Sequence, residues 1–369
     1  MALSIGIVGL PNVGKSTLFN ALNGGGAEAA NYPFCTIDPN VGIVLVPDSR
    51  VAELSLIVKP QAVQDAVVEF NDIAGLVAGA AKGEGLGNQF LAHIRECSVI
   101  AHVVRCFEDE NITHVANRID PLSDIDTIDT ELMLKDLDTV QKVRTRAEKQ
   151  AKSGDAAAKK RLAVMDHALT ALEDGTPVRR LQLDDDAREQ LRDLHLLTAK
   201  PVLYVANVDE ANVCKATVAG GNALVDRVRQ RAEEEAAEVV VICAQIESEL
   251  AEMDADSQIE FLADLGLSEP GLHTLIRRAY TLLDLITYFT AGVKEVRAWT
   301  IHRGDTAPQA AGVIHTDFEH GFIRAEVIAY DDFIHCGGEQ RCKELGKMRL
   351  EGKSYIVHDG DVMHFRFNV

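Results

Sequence analysis

The chain has 369 residues, enough for two or three domains, and 47% hydrophobic content supports real cores. No apolar run reaches the length of a membrane span, so no membrane partner is expected. Net charge of −20 argues against non-specific nucleic-acid binding by the whole molecule and against a specific DNA partner, and any RNA contact requires a local basic patch. Seven scattered cysteines without a C-x-x-C pair fit a reducing cytosol rather than a disulfide frame or zinc site.

Residues 5–8, Ile-Gly-Ile-Val, read as a buried strand. The opening strand has no basic region ahead of it, so no signal peptide is expected. Gly9-Leu-Pro-Asn-Val-Gly14-Lys15-Ser16 follows, and residues 15–22 read as a helix. Strand, glycine-rich loop and helix in that order make G-x-x-x-x-G-K-[ST] a phosphate cradle: backbone N–H groups at the helix start converge on the anion, and the helix dipole favours negative charge. Lys15 would neutralise the β- and γ-phosphates, and the Ser16 hydroxyl would hold magnesium. A nucleoside triphosphate is therefore the expected ligand.

Short apolar strands at 42–46, 67–70, 99–104, 202–206 and 239–243 alternate with helical patterns, predicting a mostly parallel, doubly wound α/β sheet. Residues 31–36, Asn-Tyr-Pro-Phe-Cys-Thr, place Thr36 in a loop from which it could complete magnesium coordination. Asp72-Ile-Ala-Gly75 has D-x-x-G form: Asp72 would fix a magnesium-bound water and the Gly75 N–H would point at the γ-phosphate, a contact that hydrolysis releases. Leu76 cannot orient a water as glutamine would, so slow hydrolysis is expected unless another residue reaches in. His114 is the candidate catalytic partner of Lys15; an ordinary loop histidine is the alternative.

Residues 128–199 break the strand rhythm. Met133, Leu137, Val140, Arg144, Ala147 and Ala151, then Leu162, Met165, Leu169 and Leu172, alternate spacings of three and four, predicting an antiparallel helical hairpin. Between 142 and 161 there are eight Lys/Arg and two acidic residues. This stretch is either a solvated, ion-paired face or a nucleic-acid contact arm. After the strand at 202–206 comes Asn207-Val208-Asp209-Glu210, where guanine binders carry N-K-x-D. Val208 removes the stacking lysine and Glu210 displaces the carboxylate that receives the guanine N–H edge, which favours ATP over GTP; Asp209 filling the acidic slot is the rival account. Helix is expected from 269 to 289. Strands at 296–302, 311–315, 322–328, 353–357 and 364–367 predict a separate small α+β domain.

These residues resemble the YchF/Obg-like ATPase family, within the Obg-related branch of GTPase-like proteins. The carriers are the segments 9–17, 31–40, 72–80 (Asp-Ile-Ala-Gly-Leu-Val-Ala-Gly-Ala), 83–91 (Gly-Glu-Gly-Leu-Gly-Asn-Gln-Phe-Leu) and the Asn-x-x-Glu at 207–210. The resemblance implies a P-loop NTPase domain over 1–279, interrupted by the hairpin at 128–199, and a TGS-like β-grasp domain over 280–369. It implies phosphate contacts from Asn12, Val13, Gly14, Lys15, Ser16 and Thr17, with magnesium on Ser16 and Thr36, beside the Asp72 already read as a magnesium-site residue. Asn207, with the Val208 backbone, is implied at the base, where Glu210 is the candidate acidic residue. Asn12 resembles the asparagine of potassium-activated relatives, so K+ stimulation is an expectation. The family associates with the ribosome, which implies a cytoplasmic ATPase switch docking on the large subunit or whole ribosome through the hairpin and the TGS-like domain. A conventional GTPase of translation, or a nucleotide-gated binding module with little turnover, are the competing readings.

Overall fold

The computed structural model describes residues 4–24, 40–73, 86–109, 118–152 and 155–368. In chain order these form β1 (Ser4–Val8), α1 (Lys15–Gly24), β2 (Val41–Leu45), α2 (Ser49–Val58), β3 (Ala62–Gln64) and β4 (Val67–Asp72). Next come α3 (Leu86–Glu96), β5 (Val99–Arg105), α4 (Pro121–Ala151), α5 (Ala156–Glu173), α6 (Asp185–Arg192) and β6 (Val202–Asn207). Then follow α7 (Val213–Ala216), α8 (Ala223–Glu234), β7 (Glu238–Ile242), α9 (Ala244–Leu250), α10 (Ala255–Asp264) and α11 (Gly271–Leu282). The remainder is β8 (Leu285–Ala291), β9 (Glu295–His302), α12 (Ala307–Ile314), α13 (Thr316–His320), β10 (Phe322–Ala329), α14 (Tyr330–Cys336), α15 (Glu339–Glu344), β11 (Arg349–Glu351) and β12 (Asp361–Phe367). No helix among the described residues is long and apolar enough to cross a membrane.

Two compact units result, Met1–Ile43 with Glu69–Leu275, and Val44–Val68 with Ile276–Val369. The first is built on a sheet of order β2-β4-β1-β5-β6-β7, in which β4, β1, β5, β6 and β7 run parallel. β1, β5 and β6 are buried along their whole length, as strands covered by helices on both faces must be. Only β2 departs: bonds from Asp72 N to Asn40 O and from Val46 N to Ala66 O, both 2.8 Å, set it antiparallel to β4. Strand order reverses at β1, between β4 and β5, which puts a ligand crevice at the carboxyl ends of these strands.

The hairpin is α4 against α5. Met133, Val140, Met165, Ala168 and Leu172 form its buried seam, and Arg144 at the seam's rim pairs with Asp166 across it at 2.6 Å. The expected start at 128 cuts through a continuous helix. α4 begins at Pro121 behind the N-cap Asp120, and its first turns, with Ile125 and Ile128 fully buried, pack on β5. One helix thus serves both the sheet and the hairpin. Asp136, fully buried, accepts from Leu197 N (2.9 Å), Thr198 N (2.8 Å) and Thr198 Oγ1 (2.7 Å), tying the returning chain to α4 before it enters β6.

The second unit corrects the expected 280–369 boundary, because it also contains residues 44–68. β3 pairs in parallel with β9 (Ala62↔Glu295, Gln64↔Arg297), and α2 packs on β8 and β9. Arg50 of α2 pairs with Asp48 at 2.7 Å and Asp359 at 2.8 Å. The sheet order is β11-β10-β12-β8-β9-β3. Three strand expectations also change. Residues 311–314 lie in α12, because the Thr306–Gln309 capping box starts a helix whose Ala307, Ala310 and Ala311 are buried at helical spacing. The helix expected to reach 289 stops at Leu282, where Asp284 takes a left-handed φ of 55° and the chain enters β8, whose first five residues are buried. Residues 353–357 make only the isolated bridge Thr306↔Ile356, and the strand there is β11.

Candidate nucleotide site

The site is assembled where β1, β4, β6 and β7 end. β1 register pairs Ile7 with Asp72, and β6 register pairs Asn207 with both Arg105 and Ile242, so Asp72 and Asn207 arrive at the same carboxyl edge as the loop after Val8. That loop has two left-handed residues, Asn12 (φ 64°) and Gly14 (φ 92°), which turn the backbone back toward α1. Leu18 N bonds Gly14 O at 3.0 Å as the helix begins. Gly9 is required by crowding: a Cβ there would stand 2.8 Å from Val103 O. Gly14 is required twice over, since its φ suits glycine and a Cβ would stand 2.2 Å from Asn207 Nδ2.

Asn207 is 5% exposed and acts as a strut. Its Nδ2 donates to Val13 O at 2.9 Å, and its Oδ1 accepts from Ala244 N at 2.9 Å, joining the loop after β1 to the loop after β7. One amide hydrogen is left over, because a carboxamide carries two N–H donors. Val208 is buried at 2%, with its N–H bonded to Ile242 O at 2.8 Å. Asp209 caps the short 3-10 turn Glu210–Asn212: its Oδ1 accepts from Asn212 N at 3.0 Å and both carboxylate oxygens accept from Asn212 Nδ2 at 2.9 Å. Asp209 is therefore spent on local structure, while Glu210 at the start of the turn is exposed. The sequence signals each partner of the strut singly but not their pairing, since Val13 and Asn207 lie 194 positions apart.

Lys15 is 8% exposed, and its ammonium contacts the Asp72 carboxylate. Two residues 57 positions apart, expected on phosphate and on magnesium, thus meet at one point. Ser16 and Thr17 are exposed on the first turn of α1. Among the described residues no group of three or more His, Cys, Asp or Glu could hold a metal alone. Magnesium at a triphosphate needs only one or two protein oxygens beside phosphate and water, and the Ser16 hydroxyl and Asp72 carboxylate are hard oxygen donors of that kind, so the donor set fits. Thr36, Gly75, Leu76 and His114 lie outside the described residues.

A glycine-rich turn between the switch-point strand and a helix, with lysine at the helix start and an aspartate at the end of the neighbouring strand, defines a P-loop nucleoside-triphosphate-binding protein of the α/β class. Residues 4–140 match a family model described as 50S ribosome-binding GTPase, and residues 285–368 match the YchF-GTPase C-terminal model, described as a protein of unknown function. Proteins named Ribosome-binding ATPase YchF from Pasteurella multocida and Bacillus subtilis are 60% and 54% identical to the chain over all 369 residues, covering 100% of both partners in each case. The solved Schizosaccharomyces pombe YchF GTPase superposes with a TM-score of 0.88 at 37% identity, covering 99% of this chain and 97% of that one. The chain belongs to the YchF family.

Proposed function

We propose that the chain is a slow, magnesium-dependent ATPase whose nucleotide state governs docking on the ribosome, the activity and partner named for its relatives. The observation that carries the choice of ATP is the base loop. Guanine recognition needs a carboxylate facing its N1 and N2 hydrogens, and adenine offers an acceptor at N1 instead. The bonds from Asn212 to Asp209 argue against Asp209 as the guanine reader, and the buried Val208 side chain supplies no stacking lysine stem. The spare hydrogen on Asn207 suits N7, which both purines carry, so Asn207 reads a purine and the Glu210 position decides which one. A mispaired edge costs about 1–3 kcal/mol, or roughly 10–100-fold in affinity. Titrating ATP and GTP separately by calorimetry tests this. ATP should bind at least about tenfold tighter on that arithmetic, and tight GTP with undetectable ATP would return the protein to the conventional GTPases.

In this reading the backbone of residues 12–17 cradles the phosphates and Lys15 neutralises them. Ser16, Thr36 and Asp72 hold magnesium, which when bound draws charge from the phosphate oxygens. The Gly75 N–H meets the γ-phosphate, and His114 orients the attacking water in place of Leu76. Asn12 serves a K+ site, so turnover in potassium should exceed that in sodium.

For the ribosome, the hairpin supplies the basic arm and the TGS-like domain the second contact, placing the protein in the cytoplasm. Some of the arm's charge is internally matched: Arg144 and Lys152 pair with Glu148, and Lys160 with Asp186. Lys142, Arg146, Lys149 and Lys159 are exposed with no ion-pair partner among the described residues, the surplus that phosphate neutralisation uses. Reversing charge at Lys159, Lys160 and Arg161 should weaken ribosome cosedimentation and flatten its salt dependence, and unchanged binding would leave the arm a solvated face.

A further inference from the structure

The chain returning from the hairpin also clamps the end of α3. After α6 it forms the 3-10 turn Leu197–Ala199, reaches Lys200 and enters β6 at Val202. The Lys200 ammonium donates to Arg95 O at 3.2 Å and to Cys97 O. These carbonyls lie in the last turn of α3 and just beyond it, where a helix leaves its carbonyls without partners of its own. A cation there also meets the negative end of the helix dipole. Burial first lowers Lys200 from the ordinary lysine range, so its charge is held at these carbonyls against a cost in solvation.

This clamp is the middle link of a longer chain of contacts. At one end, Asp136 of α4 accepts from Leu197 N, Thr198 N and Thr198 Oγ1 at 2.7–2.9 Å, just upstream of Lys200. At the other, the Cys97 amide and thiol both donate to His93 O at 3.3 Å, and the same sulfur accepts from Asn71 Nδ2 at 3.7 Å. Asn71 precedes Asp72 on β4, and the Asp72 carboxylate contacts the Lys15 ammonium. Cys97 has no room to shift toward β1, because even a Cβ on Gly6 would stand 2.9 Å from its sulfur. Movement at the end of α3 is therefore felt on β4 beside Asp72, and Lys200 joins that end to one leg of the hairpin.

We propose that Lys200 is a positioning residue for ATP hydrolysis: it holds the end of α3, and through Cys97 and Asn71 the Asp72 carboxylate, in register with the hairpin. The proposal rests on Asp72 serving the magnesium side of the nucleotide site. Lys200 acts through Asp72 and not on the substrate. The phosphate loop after β1 and the Asn207 strut do not pass through this chain of contacts, so ATP is still bound when the clamp is lost. What is lost is the placement of Asp72 as charge develops on the departing γ-phosphate, an effect on the chemical step. Anything that displaces the hairpin root reaches Asp72 through Lys200.

The test is steady-state ATP hydrolysis by the full chain, with ATP affinity measured separately by calorimetry. Lys200→Met keeps the apolar stem and removes the donors; kcat should fall about tenfold, the worth of one hydrogen bond from a charged donor, while affinity stays within about twofold. Lys200→Arg keeps the donors and should recover most of the rate. An unchanged rate in the methionine variant, an affinity loss as large as its rate loss, or an arginine variant equally slow overturns the proposal. In the wild type, hydrogen exchange at the Cys97, Leu197 and Thr198 amides should slow together when a non-hydrolysable ATP analogue replaces ADP. Exchange at Leu197 and Thr198 that ignores the γ-phosphate overturns the clamp with no variant needed. A wild-type chain that hydrolyses no ATP removes the reading of Asp72 and this proposal with it, whereas normal wild-type turnover matched by Lys200→Met removes the clamp alone.

Discussion

Replacing Asn207 with alanine removes both arms of the strut between the loops after β1 and β7. Val13 O and Ala244 N each lose a buried partner held at 2.9 Å. A buried polar group left unpaired costs about 1–3 kcal/mol, so the two together cost about 3 kcal/mol or more. If that cost falls on the binding-competent loop, ATP affinity drops roughly 100-fold. Global fluorescence is a poor assay, because the only tryptophan, Trp299, lies on β9 in the second unit. Calorimetry with ATP and hydrogen exchange at the Ala244 amide report the strut directly. Asn207→Ala should lose both affinity and Ala244 protection. Asn207→Asp should keep Ala244 protected, since an oxygen still accepts there, yet lose affinity because a second oxygen then faces Val13 O. An alanine variant binding ATP within about twofold of wild type, with Ala244 still protected, would refute a reasoning that asks for roughly 100-fold.

Other substitutions test separate parts of the structure. Gly14→Ala drives a Cβ to 2.2 Å from Asn207 Nδ2 at a φ of 92°, and calorimetry should show ATP affinity falling by at least about tenfold while the second unit's thermal transition is unchanged. Asp136→Ala strands three donors at 2.7–2.9 Å, and urea unfolding followed by circular dichroism should show the first unit destabilised by about 3–5 kcal/mol. His102, buried beside Tyr204 with Arg179 nearby, is held down to about 3, by burial first and the Arg179 charge second. The neutral ring is the folded form, so its stability contribution is complete above the ordinary value of about 6.5 and is lost as pH falls from there toward 3; at pH 5 the loss is about 2 kcal/mol. His102→Phe should flatten that stretch of the stability–pH curve, and an unchanged slope would place the acid sensitivity elsewhere.

Local chemistry made the nucleotide site's parts readable. The β1–loop–α1 motif, Asp72 at the end of a strand and Asn207 after a buried strand each announce themselves through short-range periodicity and turn residues. The hairpin seam was readable for the same reason, since Met133, Val140 and Ala147 repeat at a fixed spacing on one helix. Segments whose state depends on a distant partner were not. Residues 311–314 have an apolar run that suits either element until Thr306 and Gln309 cap them. Residues 285–289 continue a helical pattern until Asp284 breaks it and pairing with β9 and β12 holds them extended.

The amino-acid order by itself determined that a phosphate loop follows the first buried strand, that the sheet is α/β, and that a basic hairpin interrupts it; the sheet order made that strand the switch point. Tertiary structure alone decided that residues 44–68 join the second unit, that Asn207 braces Val13 and Ala244, and that Asp209 is committed to Asn212. The physical reason is range. Backbone conformation and hydrophobic period are written into neighbouring residues, whereas strand register and hydrogen-bond partnering across the fold are settled only when distant segments pack together.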